Sequence, residues 1–351
     1  MKRKFPLLLV FLSFITSCLI VTPNVPAFLG EGRWVLDQRG QAVAPPIPGG
    51  RMMGLQTSGL SYDGKFLWSV GDQRSNFPGN VFHVDPKTAR LVGDPIRLEV
   101  TPGTQGEVPE RLLTANADLE GLCLKPGDLL TLYITVETDG LRILECRYQP
   151  SRNTVSILRV LSAVFVVDPI EGDRNARFEG VAADGETLYV AYEKDGGGHP
   201  HVYYGILPMD TTELRLRELP VPFSKLPPRP EKGGVNVNGL DLLLGETRML
   251  VMVARDQERL LFYELKTGQL SYVDLDFRDP AGREIYWTSP EAVAVDSRED
   301  RLWVINDPDS RRSNYRLRDE TVPSGNYKAM VPLLFEFRLS QILAARIPVR
   351  F

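Results

Sequence analysis

The chain has 351 residues, of which 43% are hydrophobic and 25% are charged. This composition is that of a globular protein with enough length for a large hydrophobic core, and it excludes an intrinsically disordered chain. The formal net charge is −4 at pH 7, and because a mildly acidic chain binds nucleic acid poorly, we expect no nucleic-acid partner.

The first 17 residues have the pattern of an export signal. A basic stretch, MKRK, precedes the apolar run FPLLLVFLSFI, which has the length of a signal-peptide core and is too short to span a bilayer comfortably. The next residues, ITSC, resemble the lipobox of bacterial lipoproteins, in which the cysteine is lipidated. We therefore predict a signal peptide over residues 1–17, lipidation of Cys18 and a tether over residues 18–31.

A lipid on Cys18 would hold the protein on a membrane of the bacterial cell envelope, facing the periplasm or the exterior. Two alternatives are an ordinary secretory signal with a coincidental cysteine and an uncleaved signal anchor. Cleavage before Cys18 removes three basic residues and no acidic ones, so the formal charge of the mature chain becomes −7.

Five copies of one unit follow along the chain, beginning at residues 58, 120, 179, 238 and 291. Each copy has an apolar run, a turn, and a second apolar run that ends in an acidic residue. Such regular spacing indicates a repeated structural unit. The copies are SGLSYDGKFLWSVGD, EGLCLKPGDLLTLYITVE, EGVAADGETLYVAYE, NGLDLLLGETRMLVMVARD and EAVAVDSREDRLWVIND.

Most copies continue with two further runs rich in Val, Leu, Ile, Phe and Tyr, which indicates four strands per unit. No long segment has the period of an amphipathic helix. Four antiparallel strands repeated around an axis make a β-propeller. We predict an all-β propeller of five, possibly six, blades as a single domain over residues 32–351. The last copy lacks a clear fourth strand, and the segment GRWVLDQRGQAV at 32–43 could supply it.

In a propeller the first strand of each blade lines the central channel, so the first residues of the copies should gather at one mouth. Crowded carboxylates raise one another's pKa, and Ca²⁺ binds six to eight oxygen ligands. Two interpretations stay open: a metal site, or hydrogen bonds that brace neighbouring blades. The candidate metal ligands are Glu120, Glu179, Asn238 and Glu291. Ser58 occupies the same position in the first copy, and Asp72, Glu137, Glu193, Asp256 and Asp307 end the second strands.

Basic residues follow the second strands and should lie on the same rim. Arg74, Lys194 and Arg255 are candidates for binding a phosphate or carboxylate of a substrate, or for ion pairs with the neighbouring acids. His199 and His201 could supply a base or simply belong to a solvated loop. The chain contains no G-x-S-x-G motif, so a serine-hydrolase triad has no support.

The stretches SGLSYDGKFLWSVGD, DLEGLCL and RFEGVAADGETLYVAYEKDG resemble the phytase-like propeller family, described as having esterase-like activity of phytase. The resemblance covers about residues 50 to 340. The wider group of calcium-dependent lactonases and esterases is similar in placing Glu, Asn and Asp around a channel metal. The resemblance therefore implies Ca²⁺ as the cofactor, at the four candidate ligands.

Two functions are compatible with these patterns. The first is a metal-assisted hydrolase of a phosphoester, ester or lactone, with Glu179 as the general base. The second is a non-catalytic envelope lipoprotein whose propeller loops bind a ligand or another envelope protein, because a fold alone does not decide function.

Overall fold

The computed structural model describes residues 27–43, 55–72, 79–113, 118–137, 141–169, 178–307, 316–317 and 330–350. The regular secondary structure in these ranges is almost all β-strand, with one short α-helix, α1 (Leu339–Ala344), near the end and two single-turn 3₁₀ helices, Glu110–Leu113 and Phe223–Lys225. The strands are β1 (Phe28–Trp34), β2 (Thr57–Tyr62), β3 (Leu67–Gly71), β4 (Asn80–Asp85), β5 (Arg90–Gln105), β6 (Leu119–Lys125), β7 (Asp128–Val136), β8 (Arg142–Gln149), β9 (Thr154–Phe165), β10 (Phe178–Asp184), β11 (Thr187–Tyr192), β12 (His201–Ile206), β13 (Glu213–Leu219), β14 (Gly239–Leu243), β15 (Met249–Ala254), β16 (Arg259–Glu264), β17 (Leu270–Arg278), β18 (Glu284–Trp287), β19 (Pro290–Asp296), β20 (Arg301–Asn306), β21 (Arg316–Leu317), β22 (Leu333–Arg338) and β23 (Ile347–Pro348).

Five groups of four antiparallel strands form the blades of a β-propeller, as predicted. Blades 1 to 4 are β2–β5, β6–β9, β10–β13 and β14–β17, and blade 5 is β19, β20, β22 and β1. The innermost strands β2, β6, β10, β14 and β19 contact one another in this order, and β19 contacts β2. This direct contact closes the ring with five blades.

The fourth strand of blade 5 comes from the N-terminal part of the chain, as the unclaimed segment at 32–43 predicted. Gly32 and Trp34 pair with Phe335 and Leu333 in an antiparallel ladder. The strand begins earlier than expected, at Phe28, because its first four residues pair in parallel with β17. The predicted boundary between tether and propeller at residue 32 therefore falls inside β1.

The outermost strands also pair between blades. Strand β9 pairs in parallel with both β5 and β13, and β1 pairs in parallel with β17. Hydrogen-bonded sheets consequently join blades 1 to 3 into one group and blades 4 and 5 into another. Among the described residues, no strand pairing joins β13 to β17.

Apolar side chains fill the space between neighbouring blades, so most strands are buried on both faces and read as continuous apolar runs. Every residue of β15, for example, is buried. Cys123 in β6 and Cys146 in β8 are buried free thiols. Within the described ranges, no helix has the length and hydrophobicity that crossing a membrane requires.

The inner strands approach one another very closely where the repeat places glycine. A Cβ at Gly180 would lie 2.6 Å from the backbone nitrogen of Leu240, and a Cβ at Gly239 would lie 2.6 Å from the Cα of Ala292. A Cβ at Gly121 would collide with the carbonyl oxygen of Glu179. Glycine is needed here because another backbone occupies the space of a side chain.

Candidate metal centre at the channel mouth

The four predicted ligands meet at one end of the central channel. Glu120, Glu179 and Glu291 are each the second residue of an inner strand, and Asn238 immediately precedes β14. Carboxylate oxygens of the three glutamates lie within 4.8 Å of one another. Asn238 Nδ2 donates a hydrogen bond of 3.1 Å to Glu291 Oε1. We call these four residues the mouth cluster.

The mouth cluster is largely removed from water. Glu179, Asn238 and Glu291 are only 6%, 3% and 4% exposed, whereas Glu120 keeps partial exposure. Burial, followed by the negative charge of Glu193, raises the pKa of Glu179 well above its usual value. Burial and the charge of Glu179 do the same to the pKa of Glu120. Ionised carboxylates in this place therefore require a compensating cation.

One internal cation is Arg255, which reaches across from blade 4. Its Nη2 lies 2.8 Å from Glu193 Oε1 in blade 3, and its Nη1 lies 3.1 Å from Glu291 Oε2 in blade 5. Burial lowers the pKa of Arg255, but the charges of Glu291 and Glu193 raise it more, so the guanidinium stays ionised. Arg255 also lowers the pKa of Glu291, which burial nevertheless holds above its usual value.

Strand register corrects the predicted ring of second-strand acids in blade 4. Val181 pairs with Val190, and Leu240 at the equivalent position of blade 4 pairs with Met252. The residue three positions after Val190 in the second strand of blade 3 is Glu193, whereas the residue three positions after Met252 in the second strand of blade 4 is Arg255. Arg255, rather than Asp256, is thus the counterpart of the acids that end the other second strands, and it replaces a negative charge by a positive one.

Of the remaining residues predicted to bind or act on a substrate, Lys194 lies near the mouth cluster. Lys194 Nζ lies 3.8 Å from Glu193 Oε1, so Lys194 borders the mouth cluster. Arg74 lies outside the described residues. His199 is on the loop before β12 and is mostly exposed, whereas His201 is the first residue of β12 and its Nδ1 lies 2.7 Å from Glu218 Oε1. The arrangement suits a solvated loop for His199, whereas contacts with the carboxylates of Asp195 and Glu218 hold His201 in the strand.

Sequence reasoning missed two polar residues that border the mouth cluster, Asp118 and Asn236. Oxygens of Asp72, Asp118 and Glu120 form a second group within 4.8 Å, which shares Glu120 with the first. Asn236 Nδ2 donates to Glu193 Oε1 at 3.1 Å. The patterns DLE at 118–120 and NVN at 236–238 contain the signal, because residues two apart in an extended chain point to the same side.

The donor set fits a hard divalent cation. Asn238 Oδ1 is buried and has no hydrogen-bond partner among the described residues, although the amide nitrogen of the same side chain donates a hydrogen bond to Glu291. Leaving a buried acceptor unpaired costs about 1–3 kcal/mol. A cation held between carboxylate and amide oxygens would supply the missing partner, and Ca²⁺ takes ligands of this kind. The acidic clusters at the mouth could therefore bind a metal ion.

Comparisons with known proteins give structural neighbours only. An aldose sugar dehydrogenase from Streptomyces coelicolor, solved with PQQ bound, is 13% identical, with a TM-score of 0.42, 89% of this chain covered and 99% of that one. A virginiamycin B lyase from Staphylococcus aureus is 8% identical, with a TM-score of 0.36 and coverage of 80% and 94%. A gluconolactonase from Xanthomonas campestris is 10% identical, with a TM-score of 0.33 and coverage of 81% and 86%.

No family model matches the chain, and no curated protein matches its sequence. The resemblance to phytase-like propellers consequently stays a prediction.

Proposed function

We propose that this protein is an exported, lipid-anchored β-propeller of the bacterial envelope that hydrolyses an ester, lactone or phosphoester with the help of a divalent cation at the mouth cluster. One observation carries the proposal: three converging carboxylates lie beside a buried amide oxygen without a partner. Hydrogen bonds that merely brace the blades would be expected to pair that oxygen, whereas a cation site would use it.

Glu120, Glu179, Asn238 and Glu291 would hold the ion, and Ca²⁺ is the proposed ion. Such an ion polarises a carbonyl or phosphoryl oxygen and makes water more acidic. Glu179 is the proposed general base, because burial and neighbouring acids raise its pKa above that of a free glutamate, and a carboxylate with a raised pKa is a stronger base. Arg255 fixes the carboxylates of Glu193 and Glu291 by its two ion pairs.

Arg255 and Lys194 also place positive charge at the mouth, beside an otherwise acidic ring. In the proposed function they attract the phosphate or carboxylate of a substrate, and Arg74 is kept as a third candidate for this role. A guanidinium is suited to it because its donors match the geometry of two oxygens at once.

A chelator experiment tests the ion. A bound ion stabilises the folded state by about 2.7 kcal/mol at a hundredfold excess over its dissociation constant. EDTA should therefore lower the melting temperature of the wild type, and Ca²⁺ should restore it. Glu179→Gln should remove this response, whereas Glu246→Gln, at an exposed position away from the mouth cluster, should retain it.

Hydrolysis of p-nitrophenyl esters, lactones and p-nitrophenyl phosphate should then depend on Ca²⁺ and be lost in Glu179→Gln. Absence of any chelator response in protein first saturated with Ca²⁺ would overturn the metal site. A clear chelator response without turnover on any of these substrates would overturn the enzyme and leave a metal-stabilised binding platform.

A further inference from the structure

Arg255 makes hydrogen bonds both to a proposed metal ligand and to an acid outside the ligand set. Its Nη1 donates to the two oxygens of Glu291, at 3.3 and 3.1 Å, and its Nη2 donates to Glu193 Oε1 at 2.8 Å. Glu291 is one of the four proposed ligands, whereas Glu193 is not. The guanidinium therefore binds a carboxylate that the ion would also use.

The two asparagines of the NVN sequence differ in how far protein groups satisfy them. Asn236 Nδ2 donates to Glu193 Oε1 at 3.1 Å, and Asn236 Oδ1 accepts a hydrogen bond from the backbone N–H of Asp256 at 2.9 Å. Asn238 Nδ2 donates to Glu291 Oε1 at the same distance of 3.1 Å, but Asn238 Oδ1 has no partner among the described residues. The amide beside Glu291 thus keeps one oxygen for a second cation, and the amide beside Glu193 does not.

A guanidinium and a divalent ion beside the same buried carboxylate repel each other. The side chains of Glu193 and Glu291 are only 4% and 5% exposed, and that of Arg255 is 18% exposed. Water therefore screens little of the repulsion between the two cations, and charges interact more strongly where water is excluded. The Ca²⁺ affinity of protein sites depends on the charges around the ion, so a fixed positive charge here should weaken binding.

We propose that Arg255 competes with the ion for Glu291 and thereby sets how tightly the mouth cluster binds that ion. This inference rests on the proposed function, because it takes the divalent ion at the mouth cluster from there. Arg255 acts through Glu291 and is a positioning residue for the ion. Its guanidinium compensates the buried acids when no ion is bound, so the propeller stays folded and occupancy follows the Ca²⁺ concentration of the surroundings.

A purely structural role for Arg255 predicts the opposite effect on ion binding. If the guanidinium only held Glu291 in the position that the ion needs, its removal would weaken the binding of the ion. If the guanidinium competes, its removal strengthens that binding. The direction of the change in the dissociation constant therefore distinguishes the two roles.

Calorimetric titration of the full-length protein with Ca²⁺, after treatment with EDTA and removal of the chelator, tests the competition. Arg255→Gln should bind Ca²⁺ at least about tenfold more tightly than the wild type, because a positive charge close to the ion is removed. Arg255→Lys keeps the charge and should bind Ca²⁺ nearly as the wild type does. Lys194→Gln is the matched control, because Lys194 Nζ lies 3.8 Å from Glu193 and is not in contact with a proposed ligand.

The melting temperature gives a second readout. In EDTA, Arg255→Gln should melt below the wild type, because Glu193 and Glu291 lose their buried partner. Addition of Ca²⁺ should then raise the melting temperature of Arg255→Gln by more than that of the wild type. Glu193→Gln should have the opposite effect on affinity, because Arg255 then pairs with Glu291 alone and the mouth loses one negative charge.

Each outcome decides between the competition and the ion site itself. Ca²⁺ binding by Arg255→Gln that is equal to or weaker than that of the wild type would overturn the competition, as would an equally large effect of Lys194→Gln. If Arg255→Gln does not fold, unchanged or tighter binding by Glu193→Gln would overturn it. Absence of Ca²⁺ binding by the wild type and by every variant would overturn the ion site of the proposed function and this inference together.

Discussion

Gly121 shows at the scale of one residue how the channel is built. Its backbone N–H donates to Thr135 Oγ1 at 2.6 Å, and that hydroxyl donates to the carbonyl of Glu179 in the next blade at 2.8 Å. The same carbonyl occupies the place where a Cβ of residue 121 would be. One position thus fixes both the spacing of two inner strands and the placement of Glu179.

We expect Gly121→Ala to lower the free energy of unfolding by about 1–3 kcal/mol or more, because a methyl group there must push two backbones apart. Gly234→Ala is the matched control, since no atom of the described residues lies within 4 Å of its Cβ position and its φ is not in the left-handed region. The control should be neutral or stabilising by up to about 1 kcal/mol. Equal urea midpoints for the two variants would contradict the close approach.

Asp241 lies in β14, three residues after Asn238. Its carboxyl group should make the stability of the protein depend on pH. Its carboxylate accepts hydrogen bonds from the backbone N–H groups of Val295 and Leu242, yet burial raises its pKa to about 7. Between the unfolded and folded pKa values the unfolded state releases a proton that the folded state retains. Stability should therefore fall as pH rises from about 4 to 7, by up to about 1.4 kcal/mol per pH unit.

Asp241→Asn removes this titration and leaves one of the two backbone donors without an acceptor. Urea unfolding with EDTA present, measured from pH 4 to 8, should give the variant a lower stability at acid pH and a flatter dependence on pH than the wild type. Parallel curves for the two proteins would show that Asp241 titrates normally in the folded state.

Sequence alone could predict much of the site at this scale, because the repeat places Glu120, Glu179, Asn238 and Glu291 in equivalent positions. It named Arg255 as a candidate for ion pairs with the neighbouring acids, but it could not predict that Arg255 takes the position assigned to Asp256, because only strand register separates the two. The sequence pattern likewise does not predict that Asn238 Oδ1 lacks a hydrogen-bond partner among the described residues, because this depends on how the side chains pack.

At the scale of one element, β1 determines whether the ring is closed. It covers the edge of β22 on one side and part of β17 on the other. A chain that starts at Leu36 should expose both edges, melt at a lower temperature and aggregate, because unpaired edges recruit other strands.

A chain that starts at Ala27 keeps β1 and is the control, which should retain the stability of the full domain. A peptide of residues 27–35 added to the shorter chain should raise its melting temperature by restoring the missing strand. Equal light scattering and melting of the two chains would show that β1 is dispensable.

The sequence predicts the strands of each blade but not the pairing of strands between blades. Five repeats of alternating apolar runs and turns predict the blades, and the missing strand of the last copy predicts the role of the N-terminal segment. The extension of β1 to Phe28 and the parallel pairing of β5, β9 and β13 arise from contacts between distant blades. Local patterns carry no information about such contacts.

For the whole molecule, the lipid on Cys18 is the proposed means of membrane attachment. We expect Cys18→Ala to move the protein from the membrane fraction to the soluble fraction when cells are fractionated, because the variant lacks the acyl chains that would hold it on the bilayer. Cys123→Ala, at a buried free thiol, should stay with the membrane. Full retention of the Cys18 variant would indicate an uncleaved apolar anchor.

The division of the outer strands into two groups has a mechanical consequence. Blades 1 to 3 and blades 4 and 5 are two hydrogen-bonded halves, and the line between blades 3 and 4 has no strand ladder in the described ranges. Glu120 and Glu179 belong to one half, whereas Asn238, Glu291 and Arg255 belong to the other. Arg255 already joins the halves through Glu193.

An ion held at the mouth would add a further link between the two halves. Ion binding and the local opening of the boundary between blades 3 and 4 would then be coupled, so that each affects the other. Amide hydrogen exchange should reveal this coupling as slower exchange in β13 and β14 when Ca²⁺ is added, with β3 unaffected. The ion at the mouth would then stabilise the closed ring of blades as well as serve the proposed hydrolysis.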